Sequence, residues 1–197
     1  MPKKTEMNSR PARKLRADAQ RNRERILEIG KRVFTRDGAG ASLDEIARQA
    51  GIGPGTLYRH FPTRDALIEA VYRSEVEKLA AAEQRLSAAK PPLEAMRAWM
   101  LLFIDHVSEK KLILPVMESV PGGSTRLIES MRGLIHSTFT RAVRRAIASG
   151  DLRADTDPDD FIRALVGVFH TTAIPGWEQS ARRLVDILIA GSRAGQG

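Results

Sequence analysis

Apolar residues recur at three- and four-residue spacing along most of the chain, which is the spacing of one face of an α-helix. In the first such stretch, which begins at Ala17, the residues Ile26, Ile29 and Val33 follow this spacing, and Gly38 ends the helix. No stretch alternates apolar and polar residues over a useful strand length, and no internal repeat is present. The pattern therefore predicts an all-α fold of about nine helices.

A capping signal opens the second predicted helix. Ser42 is followed three residues later by Glu45, and this pair forms a capping box in which each side chain satisfies a backbone amide at a helix start. The helix is predicted to end at Ala50, because Gly51 follows it.

The stretch GIGPGTLYRHFP, residues 51–62, predicts a glycine-containing turn and a third short helix from about Pro54 to His60. Proline is tolerated in the first helical turn, where no amide donor is needed, and Pro62 ends the helix. Two short helices joined by a tight turn are the arrangement of a helix-turn-helix, whose second helix enters a DNA groove.

Prolines, glycines and capping residues divide the rest of the chain into further helices. Pro115 and the PGG stretch at 121–123 are predicted to interrupt a short apolar region. The remaining helices are predicted at residues 64–89, 93–107, 125–149, 158–172 and 177–190.

The positive charge is concentrated at one end of the chain. The formal net charge is +8, and residues 1–65 hold 15 Lys/Arg against 8 Asp/Glu, which leaves about +1 for the other residues. This distribution favours a polyanionic partner, nucleic acid first, although a basic surface that only aids solubility is an alternative. Residues 1–16 are basic and lack apolar periodicity, which predicts a disordered arm that either follows phosphates or is simply solvated.

Several function classes lack their sequence signals. The longest apolar run, residues 98–104, is far shorter than a membrane helix needs, and no apolar segment follows the first charges as in a secretory signal. The chain has no cysteine, and its four histidines are widely spaced, without metal-ligand spacing or a phosphate-binding glycine loop. We therefore expect a cytoplasmic protein that is not an enzyme and holds no metal or cofactor.

The run RERILEIGKRVFTRDGAGASLDEIARQAGIGPGTLYRHFPTRDALIEAVY, residues 23–72, closely resembles the N-terminal domain of the TetR (tetracycline repressor) family of bacterial regulators. The resemblance implies a helix-turn-helix DNA-binding domain at 17–65, after the basic arm at 1–16. It also implies a helical ligand-binding and dimerisation domain at 66–197. The implied protein is a homodimeric repressor that a small-molecule effector releases from a palindromic operator in double-stranded DNA.

The resemblance and the residue chemistry together predict the DNA-binding positions. Gly53 and Gly55 leave little bulk at the tip of the third helix, so that its backbone can approach the duplex closely. Leu57 has an alternative role as a core residue, and Tyr58 has one as a packing aromatic. The predicted DNA-binding residues are Ser42, Arg48, Gly53, Pro54, Thr56, Leu57, Tyr58, His60 and Arg64.

Two further sets of residues are predicted in the C-terminal part, where apolar stripes also have the alternative role of an internal core. The dimer interface is predicted on the last two helices as an intermolecular four-helix bundle, at Phe161, Leu165, Val168, Phe169, Thr172, Leu184, Val185 and Leu188. The ligand pocket is predicted at Trp99, Leu102, Phe103, His106, Met117, Met131, His136, Phe139 and Trp177.

Two other functions remain as alternatives at this point. One is a ligand-independent DNA-binding adaptor or architectural protein, because a pocket leaves no sequence motif. The other is an enzyme built on a helical bundle, for which no metal-binding or phosphate-binding motif is found.

Overall fold

The computed structural model describes residues 10–118, 124–169 and 175–194 of the chain. Within these ranges the chain forms eight α-helices, one 3-10 turn at Gly38–Gly40 and no strand, so the all-α prediction is confirmed with eight helices. The helices are α1 (Arg10–Asp37), α2 (Leu43–Gln49), α3 (Pro54–His60), α4 (Arg64–Ala89), α5 (Pro92–Glu118), α6 (Ser124–Ala148), α7 (Pro158–Phe169) and α8 (Trp177–Ser192).

The chain divides into two compact units after Val71. The first unit contains α1, α2, α3 and the first two turns of α4, and the second contains the rest of α4 and α5 to α8. The domain boundaries predicted at residues 16/17 and 65/66 stay predictions.

The core of the first unit consists of the apolar faces of its four helices. Gly30 allows α1 and α4 to approach closely, because a Cβ at this position would lie 3.1 Å from a methyl carbon of Val71. The side chains buried in this core include Ile26, Ile29, Val33, Phe34, Ile46, Leu57, Phe61, Leu67 and Ile68.

The core of the second unit is organised around Trp99 on α5. Its ring stacks on Phe103 at 5.9 Å and on Phe139 of α6 at 5.5 Å, and its indole N–H donates to the carbonyl of Leu79 at 2.9 Å. Phe139 in turn contacts Phe161 of α7 at 6.2 Å between ring centroids. Aromatic contacts therefore join α5, α6 and α7 into one core.

Backbone hydrogen bonds join the α6–α7 connection to the end of α8. The amide of Arg153 donates to the carbonyl of Ser192 at 2.9 Å, and the amide of Ala194 donates to Asp151 at 3.2 Å. The guanidinium of Arg153 also donates to the carbonyl of Gly191 at 3.0 Å, which satisfies an acceptor that the ending helix leaves open.

Two helices are longer than the sequence predicts. The first begins at Arg10 rather than Ala17, because the Arg, Ala, Lys and Leu residues before Ala17 favour helix even without an apolar face. The fifth runs to Glu118, so the predicted end at Val107 is wrong. Pro115 lies in its last turn, where the loss of one amide donor does not end the helix.

Candidate nucleic-acid interface

Ser42 starts α2 as its N-cap residue. Its backbone is extended, and its hydroxyl oxygen accepts the amide of Glu45 at 3.4 Å, which is half of the capping box that the sequence predicts. The Glu45 carboxylate does not return to the Ser42 amide in the contacts described. It accepts Arg48 at 2.7 and 2.8 Å and Gln49 at 2.6 Å instead.

This network determines the charge at the exposed side of α2. The hydrogen bond from Gln49, followed by the one from Arg48, lowers the pKa of Glu45, so its carboxylate is ionised at neutral pH. Arg48 keeps an exposed side chain, 74% accessible, beside this carboxylate. Exposed ion pairs of this kind are weak, so Arg48 can exchange Glu45 for another anion at little cost.

The turn between α2 and α3 depends on Gly51. Its φ of 65° lies in the left-handed region, where an L side chain is strained, and its amide donates to the carbonyl of Arg48 at 3.1 Å. Ile52 then donates to Ala47 at 3.1 Å, which completes the tight turn before the third helix. The sequence prediction of a glycine turn is confirmed at this residue.

Gly53 and Gly55 have a different role from Gly51. Gly53 caps α3 with an ordinary extended backbone, so its conformation does not require glycine. Among the described residues, apart from each glycine's chain neighbours and the backbone of α3, no group lies within 4 Å of a Cβ built at Gly53 or Gly55. The missing side chains therefore leave open space outside the protein, which is what a closely approaching duplex would use.

The third helix has one buried and one exposed face. Leu57 and Phe61 are buried at 1% and 3% accessibility, so Leu57 takes the core role that the sequence left open and does not face outward. Tyr58 is 47% exposed, and Thr56 and His60 are partly exposed on the same short helix. Pro54 occupies the first turn, as predicted from the sequence.

Arginines from neighbouring helices contact both short helices, and the sequence did not indicate two of them. Arg25 of α1 donates to the carbonyl of Ala50 at 3.4 Å, and the Arg23 guanidinium lies 5.2 Å from the centre of the Phe61 ring. Arg64 donates to the carbonyl of Ala41, immediately before the start of α2. No sequence signal separates such arginines from solvated ones, because their partners are backbone carbonyls and rings of other helices.

The residues predicted for the ligand pocket fall into three groups in the second unit. Trp99, Phe139 and Trp177 are buried in the aromatic core, and Met131 is also buried. Phe103 and His106 are partly buried on α5. Leu102 is 40% exposed, and the side chain of Met117 lies outside the described residues.

His136 belongs to the third group, because it is exposed on α6. Its ring Nε2 lies 2.9 Å from Oδ1 of Asp159, and the other carboxylate oxygen of Asp159 lies 3.7 Å from the Arg163 guanidinium. The structure therefore does not bring His136 together with the aromatic residues that the sequence analysis grouped with it.

The residues predicted for the dimer interface also separate. Phe161, Leu165 and Val185 are buried within the second unit, where they contribute to its own core. Leu184 is 41% exposed and Leu188 is partly buried. Thr172 lies outside the described residues, as do the side chains of Val168 and Phe169.

Two exposed apolar residues on these helices were missed by the sequence analysis. Val166 of α7 is 44% exposed and Ile187 of α8 is 63% exposed. Ile187 follows Leu184 by three residues, so both side chains lie on one face of α8. Helical spacing was the sequence signal available for finding Val166 and Ile187. Spacing alone, however, does not show which of two adjacent apolar stripes on a helix faces the core.

Two features are absent from the described part of the chain. No three His, Cys, Asp or Glu side chains there come together as metal ligands would. Among the described helices, none combines the length and apolar character that crossing a membrane requires.

Family models match two consecutive regions of the chain. Residues 26–71 match the model of bacterial regulatory proteins of the tetR family. Residues 91–194, more than half of the chain, match the model of the C-terminal domain of SbtR-like transcriptional regulators.

Known proteins resemble the chain over most of its length. A TetR transcriptional regulator from Streptomyces coelicolor is 41% identical, with a TM-score of 0.76 over 87% of this chain and 98% of that one. A TetR regulatory protein from Mycobacterium vanbaalenii is 31% identical, with the same TM-score over 91% and 99%. The HTH-type transcriptional regulator UidR of Escherichia coli is 26% identical over 158 residues, or 74% of each chain.

Proposed function

Since the chain belongs to the TetR family of bacterial regulators and is a transcriptional regulator with a DNA-binding helix-turn-helix, we propose that it is a homodimeric repressor. In this proposal, the dimer binds a palindromic operator and leaves it when a small molecule binds to the second unit. Its place of action is then the cytoplasm, where the chromosome lies.

The exposed face of α3 is the single observation that carries the DNA-binding part of this proposal. Tyr58 is 47% exposed on a helix that the buried Leu57 and Phe61 anchor to the core. No side chain of the described residues fills the space at Gly53 or Gly55. Bases are read by side chains that a rigid helix presents to the major groove, so this face has the required form.

The proposed contacts follow from the chemistry of each exposed side chain. Thr56 and Tyr58 donate hydroxyl protons to phosphates or place their carbon atoms against thymine methyl groups. Ser42 and His60, at the ends of the two short helices, contact the DNA backbone. Arg48 contributes to base reading when it leaves Glu45. Gly53 and Pro54 form the tip of the third helix, where its backbone comes close to the DNA.

The proposed dimer surface is the exposed apolar face formed by Val166 of α7 with Leu184 and Ile187 of α8. These two helices contact each other in the second unit, so their outer residues can form one continuous surface. A second copy related by a two-fold axis would cover the same residues on both chains and form a four-helix bundle.

The proposed effector site involves Phe103 and His106, the two predicted pocket residues that are partly rather than fully buried on α5. A small molecule there would contact an aromatic ring and an imidazole beside the Trp99 core. Release of DNA requires that the molecule bind more tightly to a form of the dimer that does not match the operator.

In vitro selection of random duplexes with the purified full-length chain tests the proposal. We expect enrichment of a two-fold palindrome, with affinity that falls steeply as salt rises. Tyr58→Ala should abolish enrichment, whereas Leu102→Ala, which changes an exposed residue of the second unit, should leave it intact. Binding that depends on salt but not on sequence would support the adaptor alternative instead.

A thermal-shift screen of small metabolites then tests the effector part. Molecules that raise the melting temperature by binding the folded state should also release the selected duplex. Stabilisation without release, or no stabilisation by any class of molecule, would remove ligand control from the proposal.

A further inference from the structure

Arg64 is the first residue of α4, and its charge is unfavourable there when considered alone. The amino-terminal end of a helix carries a partial positive charge, which repels a cation in the first turn. Thr63 already caps this helix end, since its hydroxyl accepts the amide of Ala66 at 3.1 Å. Contacts of the Arg64 side chain with groups away from its own helix can offset this cost.

The structure shows two such groups, on two other elements of the first unit. The guanidinium donates to the backbone carbonyl of Ala41, and it lies 5.5 Å from the centre of the Phe34 ring of α1. Both partners are buried, at 3% accessibility for Ala41 and 0% for Phe34. A planar guanidinium can donate to the carbonyl while it covers the ring, which a lysine ammonium does less well.

The contact with Ala41 is important because of where Ala41 lies in the chain. Ala41 immediately precedes Ser42, whose hydroxyl caps α2, and the turn at Gly51 connects α2 to α3. Arg64 therefore contacts the residue immediately before the N-cap of α2, and α2 is joined to α3 by the tight turn. Arg25 contacts the other end of the same helix, at the carbonyl of Ala50, at 3.4 Å.

We propose that Arg64 is a positioning residue for DNA recognition, which holds the start of α2 through Ala41 and Phe34 and does not act as a phosphate contact. This inference rests on the proposed DNA-binding function. Arg25 contacts the far end of α2 through the carbonyl of Ala50, and this hydrogen bond is weak because 3.4 Å lies beyond the usual N–H···O range. The sequence predicts Arg64 as a DNA-binding residue, for which a phosphate contact is the expected role of an arginine, so the two roles predict different measurements.

The salt dependence of binding separates the two roles. A phosphate contact releases about one counterion, so its loss lowers the slope of log Kobs against log salt by about 0.9 on any duplex. A positioning residue makes no phosphate contact, so its loss leaves this slope unchanged. It instead weakens the discrimination between the selected duplex and a random one, because α3 no longer meets the bases in one fixed orientation.

The experiment compares the wild-type chain with Arg64→Met and with Arg85→Met, which removes an exposed arginine from the same helix. Each protein is titrated with the duplex from in vitro selection and with a random duplex, over a range of salt. For Arg64→Met we expect the affinity ratio of the two duplexes to fall about tenfold or more at an unchanged slope, as for a mismatched site. Arg85→Met should change neither quantity.

Two outcomes would overturn the inference. A slope that falls by about one, with equal losses on both duplexes, would make Arg64 a phosphate contact. Wild-type ratio and slope with only a lower melting temperature would make its role structural and unrelated to recognition. If the wild-type chain itself shows no sequence preference, the proposed function fails instead, and that result is visible before any variant is measured.

Amide hydrogen exchange of the free protein provides a second measurement that needs no DNA. The positioning role predicts faster exchange in α2, at Ile46 and Ala47, for Arg64→Met than for the wild type. Arg64→Lys should fall between them, because the ammonium retains the charge and a donor but covers the ring less well. Unchanged exchange in all of these proteins would contradict the inference.

Discussion

Charged side chains are used differently in the two units. In the second unit, arginines join separate helices: Arg97 of α5 binds Asp186 of α8 at 2.6 Å, and Arg145 of α6 binds Glu83 of α4. In the first unit, Arg48 pairs with Glu45 and Arg21 pairs with Asp18, each three residues away on the same helix. Arginine–carboxylate pairs thus connect helices in the second unit, whereas these two pairs of the first unit each lie within one helix.

Trp99 and Tyr58, one aromatic residue from each unit, also differ in exposure. Trp99 of the second unit is 1% exposed and contacts two other rings, while Tyr58 of the first unit is 47% exposed. A buried ring stabilises the fold through its area and contacts, and an exposed ring on a rigid helix can contribute to binding. Substitutions in the two units should therefore affect different quantities.

The largest effect on stability is expected at Trp99. Trp99→Ala should lower the free energy of unfolding by about 3–5 kcal/mol, because it removes the centre of the aromatic core and leaves the Leu79 carbonyl without the indole donor. Chemical denaturation followed by circular dichroism measures this change. Tyr58→Ala should stay within about 0.5 kcal/mol of the wild type in the same experiment. Similar losses of unfolding free energy for Trp99→Ala and Tyr58→Ala would contradict this difference between the two residues.

The ion pair between Arg145 and Glu83 should give the next effect on stability. Glu83 is 2% exposed and also accepts the Ser87 hydroxyl at 2.8 Å. Arg145→Met should lower the free energy of unfolding by about 2–3 kcal/mol, because a buried carboxylate loses its cation. The loss is limited because nearly half of the Arg145 side chain is already exposed to solvent. The double variant Arg145→Met with Glu83→Gln should recover part of this loss; no recovery would point to packing by the arginine stem.

A charge on the outer face of α8 should break the dimer and, with it, operator binding. Leu184→Glu places a carboxylate at the proposed interface, and we expect a monomer in sedimentation experiments and about a hundredfold weaker binding to the selected palindrome. Leu102→Glu is the matched control, because Leu102 is equally exposed on another helix of the same unit. Dimers of both variants would place the interface elsewhere.

The exposed pair of Arg97 and Asp186 should give the smallest effect. The hydrogen bond from Arg97 lowers the pKa of the Asp186 carboxyl. A lowered folded-state pKa adds stability above the unfolded value of about 3.9, and this stability is lost as the pH falls through the folded pKa. Asp186→Asn should therefore cost less than about 1 kcal/mol at pH 7, and the cost should shrink as the pH falls through the folded pKa, as measured by denaturation over a series of pH values.

The sequence predicted the first unit in more detail than the second, for a physical reason. The cap at Ser42, the turn at Gly51 and the first-turn Pro54 are local features, because each depends on residues within four positions. Each of these features could therefore be predicted without knowledge of the rest of the fold. The bonds of Arg25 and Arg64 are the exception, since they reach carbonyls more than twenty residues away.

In the second unit, the sequence predicted helices but not which face of each is covered. Leu184 and Val185 are adjacent in sequence, yet one is exposed and the other fully buried. Neighbouring positions on a helix differ by about 100° in direction, so a stripe assigned one residue off selects the wrong face. The packing of α8 against α5 and α7 decides this, and that packing is a long-range property.

The most direct test of the account is a crosslinking measurement on the complex with the selected duplex. A photoreactive phenylalanine derivative replaces Tyr58 in one protein and Leu102 in another, and both complexes are irradiated under the same conditions. The account predicts crosslinks from position 58 to bases within each half of the palindrome and none from position 102. Crosslinks absent from position 58 while the complex is intact, or equally strong from both positions, would contradict DNA reading by the exposed face of α3.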